Sequence, residues 1–310
     1  IMYDNIYKIN KINNDSKKEF KYIDLFAGIG GIRMPFQNLG GECVFSSEID
    51  KYAAQTYEAN YGEKPSGDIT QINAESIPNF DILLAGFPCQ AFSIAGKRKG
   101  FEDTRGTMFF EVERILEEKK PKSFLLENVK GLTNHDHGRT FKIMLDILEN
   151  KLGYKVYYKV LNAKNFGLPQ NRERIMIVGF KNHNIDFKFP EEINKETKVG
   201  DILIDNPDSK YTISDKIWES HQLRKERNRA KGNGFGYSLF NEESPYTSTI
   251  SARYYKDGSE ILIAQEGKNP RKLTPREAAR LQGYPDSFKI VVSDTQAYKE
   301  FGNSVPVNMI

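Results

Sequence analysis

The sequence predicts an α/β protein: a Rossmann-like, mostly parallel sheet with helices on both faces, plus a smaller loop-rich domain. Three observations predict it. Short apolar runs alternate with helix-patterned stretches from about residue 21 to residue 180, the mark of successive βαβ units. A glycine turn, Gly28-Ile29-Gly30-Gly31, follows the first run, where a strand hands over to a helix. The pattern breaks near Pro190: Pro207, Pro245 and Pro270 follow, with many Gly and Asn and only short β-like runs.

Residues 22–26 read as the first strand, and a helix runs through 36–39. Residues 42–47 form the second strand and 51–61 an amphipathic helix. Ser66-Gly67-Asp68-Ile69 closes a third strand-like stretch. The apolar run at 81–87 is a buried parallel strand, and 108–118 a helix. A strand at 123–127, a helix at 140–152 and a final strand pair at 155–161 and 174–180 complete the first domain. Beyond it, 246–251 and 260–264 are β-like. Helix returns at Thr274, a good N-cap, with Pro275 at the first helical position and Glu277 completing a capping box.

Composition narrows the class. The chain has 310 residues, 28% charged and 38% hydrophobic, ordinary values for a soluble protein. No apolar run approaches the roughly 20 residues of a membrane span. Residues 8–19 are rich in Lys, Asn and Asp, so no secretory signal is visible. Two cysteines, Cys43 and Cys89, suit a reducing cytoplasm better than a disulfide framework. A net charge of +3 does not by itself indicate nucleic-acid binding. The run 224–231 is strongly basic, and from charge alone a DNA contact and a solvated helix face stand about even. The chain begins at Ile1 rather than Met and stops at Ile310, inside the helix expected after its last motif, so both natural termini are expected to extend further. No metal site is expected.

Pro88-Cys89-Gln90 is the most telling tripeptide. It directly follows a buried strand, where open α/β sheets place ligands. A free cysteine is more often a buried small hydrophobe, and Cys43, inside an apolar strand, is expected to be one. Cys89 instead stands between a sheet edge and a loop rich in Gly and Lys, where cations lower a thiol pKa and make a nucleophile. The glycine turn admits a ligand closely, and Glu48, roughly 20 residues on at the end of the second strand, suits a ribose hydroxyl. Asp68 suits an adenine amino group, with Ile69 against the ring. On pattern alone this pocket fits a nicotinamide dinucleotide as well as another nucleoside cofactor. Glu127 ends an apolar strand, where a charge is costly unless paired.

Five segments stand in one order along nearly the whole chain: DLFAGIGG at 24–31, PCQ at 88–90, ENV at 127–129, QNRER at 170–174 and FGNSVP at 301–306. Together they resemble the C5-cytosine DNA methyltransferases of bacterial restriction–modification systems. The resemblance implies S-adenosylmethionine as methyl donor. Phe26, Ala27, Gly28, Gly30 and Gly31 would hold it on one side, and Glu48, Ile49, Asp68, Ile69 and Pro88 on another. Asn303, Ser304 and Val305 would complete the site. It implies that Cys89 attacks cytosine C6, Glu127 serves N3 and the exocyclic amine, and Arg172 and Arg174 carry the QxRxR motif, the second arginine at the base O2.

Double-stranded DNA is the implied partner. The loop 90–107 would close on a flipped base, with Gln90, Ser93, Lys97, Arg98 and Arg105 toward DNA. In the family's layout residues 21–184 are catalytic, 1–20 lead into them, 185–273 form the target-recognition domain, and 274–310 return to the catalytic domain. Arg227, Phe235, Thr249, Arg253 and Tyr254 are the DNA-binding candidates of the recognition region. Thr249 would support the phosphate beside the flipped base and Arg253 a guanine edge. The SARYYKDG stretch at 251–258 resembles methylases of CCNGG-, CCWGG- or CCGG-type sites. A monomer is expected, cytoplasmic and nucleoid-associated, sharing its site with a cognate endonuclease it need not bind. A tRNA cytosine methyltransferase, a catalytically dead DNA-binding regulator and a nicotinamide dehydrogenase are the alternatives. The Cys-Phe-Thr signature usual in the first is absent, and the residues lost in the second are all present. The third leaves Cys89, Glu127 and both arginines unexplained.

Overall fold

The structure, a computed structural model, describes residues 19–88 and 108–310. The chain forms two compact units by contact: one of residues 19–88, 108–161 and 173–191, the other of Asn162–Arg172 and Glu192–Ile310. Residues 274–310 thus group with 192–273.

The first unit is built on a six-stranded sheet. Its strands are β1 (Phe20–Leu25), β2 (Gly41–Ser46), β3 (Ile82–Gly86), β4 (Ser123–Val129), β5 (Lys155–Asn162) and β6 (Glu173–Phe180), in the order β2-β1-β3-β4-β6-β5. β1 runs parallel to both β2 and β3, β3 runs parallel to β4, and β6 is antiparallel to β4. The chain leaves β1 for β2 on one side and returns to β3 on the other, so the order reverses at β1. Ligands of open α/β sheets sit at such a reversal, beyond the carboxyl ends of the strands. Ile23, Leu25, Leu83, Ala85, Phe124, Leu126 and Ile177 make the sheet's share of the core.

Among the described residues, four α-helices accompany these strands: α1 (Arg33–Asn38), α2 (Lys51–Tyr61), α3 (Met108–Lys119) and α4 (Arg139–Asp146). α2 starts where Asp50 accepts the amides of Tyr52 and Ala53, and stops at Gly62 with φ 72°, a left-handed end that suits glycine. α3 buries Phe109, Val112, Ile115 and Leu116, apolar at i, i+3, i+6 and i+7, the stripe of a core-facing helix. The helix expected at 140–152 ends early, since α4 passes into a π-helical turn at Ile147–Lys151. The strand expected to end at Ser66–Ile69 is also absent. Ser66 makes one isolated bridge to Ser47, and the chain then turns, because Asp68 caps a 3₁₀ turn over Ile69–Gln71.

The second unit carries a three-stranded sheet, β7 (Leu239–Phe240), β8 (Leu262–Gln265) and β9 (Lys268–Lys272), and the helices α5 (Asp215–Ala230), α6 (Pro275–Leu281) and α7 (Asp294–Asn303). Residues 246–251 form no strand; Thr247 makes a single bridge, to Gln170. Their backbone is instead held by side chains, with the Gln170 Oε1 accepting from Ile250 N at 3.1 Å. At α6 the expected capping box forms: Thr274 Oγ1 accepts from Glu277 N and the Glu277 carboxylate accepts from Thr274 N. Glu277 is fully buried and also meets Arg271 in two bonds of 2.7 and 2.9 Å. A charge so placed is tolerable only with such a full set of partners.

Candidate active site

The carboxyl ends of β1, β2 and β3 enclose a cavity of about 390 Å³ lined by Phe26, Glu48, Ile49, Asp68, Ile69 and Pro88, with Ser47, Gly67, Thr70 and Met108. Phe26 has φ 52°, a conformation that costs a bulky residue roughly 1–3 kcal/mol and tends to persist at functional sites. It turns the chain out of β1 into the glycine segment. Gly30, at φ +85°, has no room for a Cβ: one would stand 2.2 Å from the Tyr61 ring. The Tyr61 hydroxyl donates to Gly30 O at 2.7 Å, so the turn is fixed from behind.

Glu48 links two elements of this cavity. One carboxylate oxygen accepts from Gly28 N at 2.6 Å and the other from Asp50 N at 2.8 Å. Burial raises its pKa, with the Asp50 and Gly28 amides opposing. Asp68 uses Oδ1 on the Thr70 amide and hydroxyl, and these bonds lower its pKa. Ile69 is buried, whereas Ile49 is 74% exposed, an apolar surface open to a flat ring. Ala27 and Gly31 are buried beside the turn.

Two strands over, β4 and β6 bring an acid and a base together. Glu127 pairs with Met176 and Val129 with Arg174 in the antiparallel register, so Glu127 and Arg174 are diagonal neighbours on one face. Their Oε1 and Nε lie 3.3 Å apart, with side chains 10% and 15% exposed. Burial lowers the Arg174 pKa and Glu127 opposes that shift. On the other side, Gly86 of β3 pairs with Glu127. A Cβ on Gly86 would lie 3.2 Å from Glu127 Oε2, so glycine here leaves room for the carboxylate. Asn128 Nδ2 donates to Phe87 O at 3.0 Å and fixes the chain just before Pro88. Cys89, Gln90, Ser93, Lys97, Arg98 and Arg105 lie outside the described residues.

A glycine turn and an acid stand at the strand ends, and a buried Glu–Arg pair lies on β4 and β6. The profile described as C-5 cytosine-specific DNA methylase matches residues 20–310. This chain belongs to that family. It is 66% identical over 294 residues to the Type II methyltransferase M.NlaX of Neisseria lactamica, covering 94% of each chain. It is 60% identical to M1.ScrFI of Lactococcus lactis subsp. cremoris, over 98% of this chain and 79% of that protein. Among solved structures, the Entamoeba histolytica methyltransferase EhMeth superposes with a TM-score of 0.79 at 21% identity, covering 94% of this chain and 95% of that one. The Schizosaccharomyces pombe Dnmt2 methyltransferase gives 0.77 at 20%. These two show the fold.

The second unit of this methylase holds two of the expected site residues within its own interior. Arg172 was expected to be catalytic, but it is 2% exposed and its guanidinium donates to three backbone carbonyls. Nη1 reaches Ile250 O at 2.7 Å, and Nη2 reaches Gly302 O at 2.9 Å and Ser304 O at 2.7 Å. It ties the 249–251 and 301–306 segments together. Gly302 is needed in that knot, since a Cβ there would stand 2.3 Å from Ser251 backbone atoms. Tyr254 was expected at DNA, but it is 1% exposed. Its hydroxyl donates to Ile261 O and accepts from Leu273 N, so it is part of the core.

Within the last motif Asn303 is exposed and Val305 buried. The Ser304 hydroxyl is 2.6 Å from that of Tyr284 and is turned inward. Thr249 donates to Asn171 O at 2.6 Å, while Arg227 and Arg253 are exposed. Phe235 is 77% exposed, yet its backbone is held: Asn228 Nδ2 donates to its carbonyl at 2.8 Å. Next to it Tyr237 sits under Lys225, with Nζ 4.2 Å from the ring centroid, and edge-on to Trp218 at 4.8 Å. Lys225 and Arg224, which pairs with Asp257 at 3.2 Å, thus serve the unit itself. The pocket residues Ser47, Gly67, Thr70 and Met108, and the Gly86 and Asn128 supports, carried no sequence signal beyond adjacency to motif residues.

Proposed function

We propose that this methylase transfers a methyl group from S-adenosylmethionine to C5 of a target cytosine in double-stranded DNA, at a defined sequence, within a restriction–modification system. The observation that carries the reading is the buried Glu127–Arg174 pair, with Glu127 also beside the β3 end that leads into Pro88-Cys89. The cavity residues fit the cofactor's chemistry: acceptors at Glu48 and Asp68 for ribose hydroxyls and an adenine amine, and apolar Phe26, Ile49 and Ile69 for the ring. When bound, S-adenosylmethionine supplies an electrophilic methyl on sulfonium. Asn303 is a further candidate for it.

The chemistry asked of the chain begins with the Cys89 thiolate bonding to C6. Glu127, hydrogen-bonded at N3 and the exocyclic amine, delivers a proton to N3 as the ring takes up the electron pair. Arg174 holds the Glu127 carboxyl and reaches for the base O2. C5, now an enamine carbon, would take the methyl, with the neutral thioether S-adenosylhomocysteine as leaving group. Loss of the C5 proton to solvent would then expel Cys89 as thiolate while N3 returns its proton to Glu127, restoring the ring. Arg172 works at one remove, by holding the 249–251 backbone. The target cytosine must leave the duplex for this, and the loop 90–107 would cover it. Arg253 is the candidate reader of guanine, at a CCNGG-, CCWGG- or CCGG-type site. The exposed Arg227 suits a phosphate and the exposed Phe235 a base or sugar. A monomer in the cytoplasm suffices for this activity.

The test is bisulfite sequencing of a randomised duplex library after incubation with S-adenosylmethionine and either the wild type or Cys89→Ser. Wild type should leave one modified cytosine within a fixed sequence, and Cys89→Ser none. Modification by Cys89→Ser at a near-normal rate would refute the covalent route.

A further inference from the structure

Arg114 lies on α3, outside every motif. Its guanidinium makes four bonds. Nη1 donates to Ile72 O at 2.8 Å and Nη2 to Ile69 O at 3.0 Å. Nε and Nη2 both donate to Glu111 Oε2, at 3.0 and 2.6 Å. Ile69 O and Ile72 O bracket the single 3₁₀ turn Ile69–Gln71, which Asp68 caps. That turn presents Asp68, Ile69 and Thr70 to the nucleoside cavity, and Met108, the first residue of α3, lines the same cavity. One planar fork therefore fixes the acceptor side of the cavity to the helix that forms another part of it, with Glu111 on the same helix accepting from two of its nitrogens. A lysine offers a point charge and cannot span two carbonyls and a carboxylate in this geometry.

We propose that Arg114 is the positioning residue for the nucleoside end of the methyl donor: it sets where Asp68 and Ile69 stand without touching the ligand. This rests on the cavity being the S-adenosylmethionine site. The prediction is specific to one half of that ligand. Losing the two carbonyl bonds should weaken S-adenosylhomocysteine and adenosine by the same factor, about 10-fold, as expected for two ordinary hydrogen bonds. It should leave the maximal rate of methyl transfer and the affinity for DNA largely unchanged.

The experiment is calorimetry with S-adenosylhomocysteine and with adenosine, plus steady-state kinetics over S-adenosylmethionine concentration, on the full chain. The variants are Arg114→Ala, Arg114→Lys and Arg139→Ala. Arg139 is a control, exposed on α4 and paired with Asp136 at i,i+3. The expected result is a raised KM at unchanged kcat for Arg114→Ala, partial recovery in Arg114→Lys, equal losses for both ligands, and no effect in Arg139→Ala. Three outcomes overturn the proposal: wild-type affinity in Arg114→Ala, a fall in kcat at unchanged KM, or loss of S-adenosylhomocysteine binding with adenosine binding kept. If the wild type binds neither ligand, the cavity assignment itself fails, which is a separate result.

Discussion

Asp24 offers a prediction whose size follows from its surroundings. It is 1% exposed at the end of β1, directly ahead of the strained Phe26. Oδ2 accepts from the Tyr57 hydroxyl at 3.1 Å, and Oδ1 has no hydrogen-bond partner among the described residues. Burial pushes its pKa from 3.8 up to about 7; Arg33 and the Tyr57 hydroxyl pull it down, and Glu48 pushes it further up. The sign follows. A carboxyl whose folded pKa exceeds its unfolded pKa stabilises the fold in its neutral form. That contribution is complete below about pH 3.8 and is lost as pH rises through about 7. With about 1.4 kcal/mol for each tenfold change in proton affinity, the whole effect is about 4 kcal/mol as an upper value, of which about 2 kcal/mol falls between pH 5.5 and 7.

Asp24→Asn removes this titration and keeps an acceptor for Tyr57. Urea unfolding followed by circular dichroism at pH 5.5, 6, 7 and 8 would measure it, with the m value checked for constancy. Other groups titrate in the same range, so the quantity to read is the difference between wild type and variant. It should shift by about 2 kcal/mol in the variant's favour from pH 5.5 to 8, mostly below pH 7.5. A difference that stays flat across the range would refute the reasoning, and would mean that Arg33 keeps Asp24 ionised throughout.

Other perturbations separate the roles assigned to the site. Glu127→Gln should lose about 10²- to 10⁴-fold in turnover, the scale of general acid–base help, with DNA affinity largely kept in a gel-shift titration. Glu48→Ala should weaken S-adenosylhomocysteine in calorimetry by about 1–3 kcal/mol, and NAD should not bind. Arg227→Ala should lower affinity alike on all duplexes and flatten its salt dependence, as for a phosphate contact. Arg253→Ala should instead relax the methylation profile at one guanine of the site. Arg172→Lys should lower thermal stability, because a single ammonium nitrogen lacks the span of the two guanidinium nitrogens that reach these three carbonyls, and an unchanged melting temperature would show that those bonds are not needed.

The sheet was legible because its signals are local. β1, β3, β4 and β6 carry apolar residues that are buried in consecutive or alternating positions. Helix α2 could be placed to the residue because Asp50 and Gly62 bracket it with side-chain and backbone chemistry that only helix ends need. The stretches at 66–69 and 246–251 misled for a common reason. Each has some strand character, 246–251 through its Thr and Ile, but a strand needs a partner ladder, and at each place a single bridge forms. What holds 246–251 is Gln170 and Arg172, far away in sequence, and no periodicity reports such partners.

The two arginines of the QxRxR motif show where the resemblance stops short of the physics. Two residues apart, they would share a face if both were in a strand. β6 begins only at Glu173, so the alternation does not reach back to Arg172. Arg174 is inside the ladder, and its register puts it diagonal to Glu127. Arg172 precedes the ladder and is free to turn its guanidinium onto carbonyls of its own unit. The motif is therefore two devices in five residues: a charge partner for the buried Glu127, and a clamp for the backbone carrying Thr249 and Asn303. A variant at Arg174 should alter chemistry more than folding, and a variant at Arg172 folding more than chemistry. The resemblance already set the second arginine at the base, but nothing in the sequence shows that the first meets carbonyls of residues 250, 302 and 304.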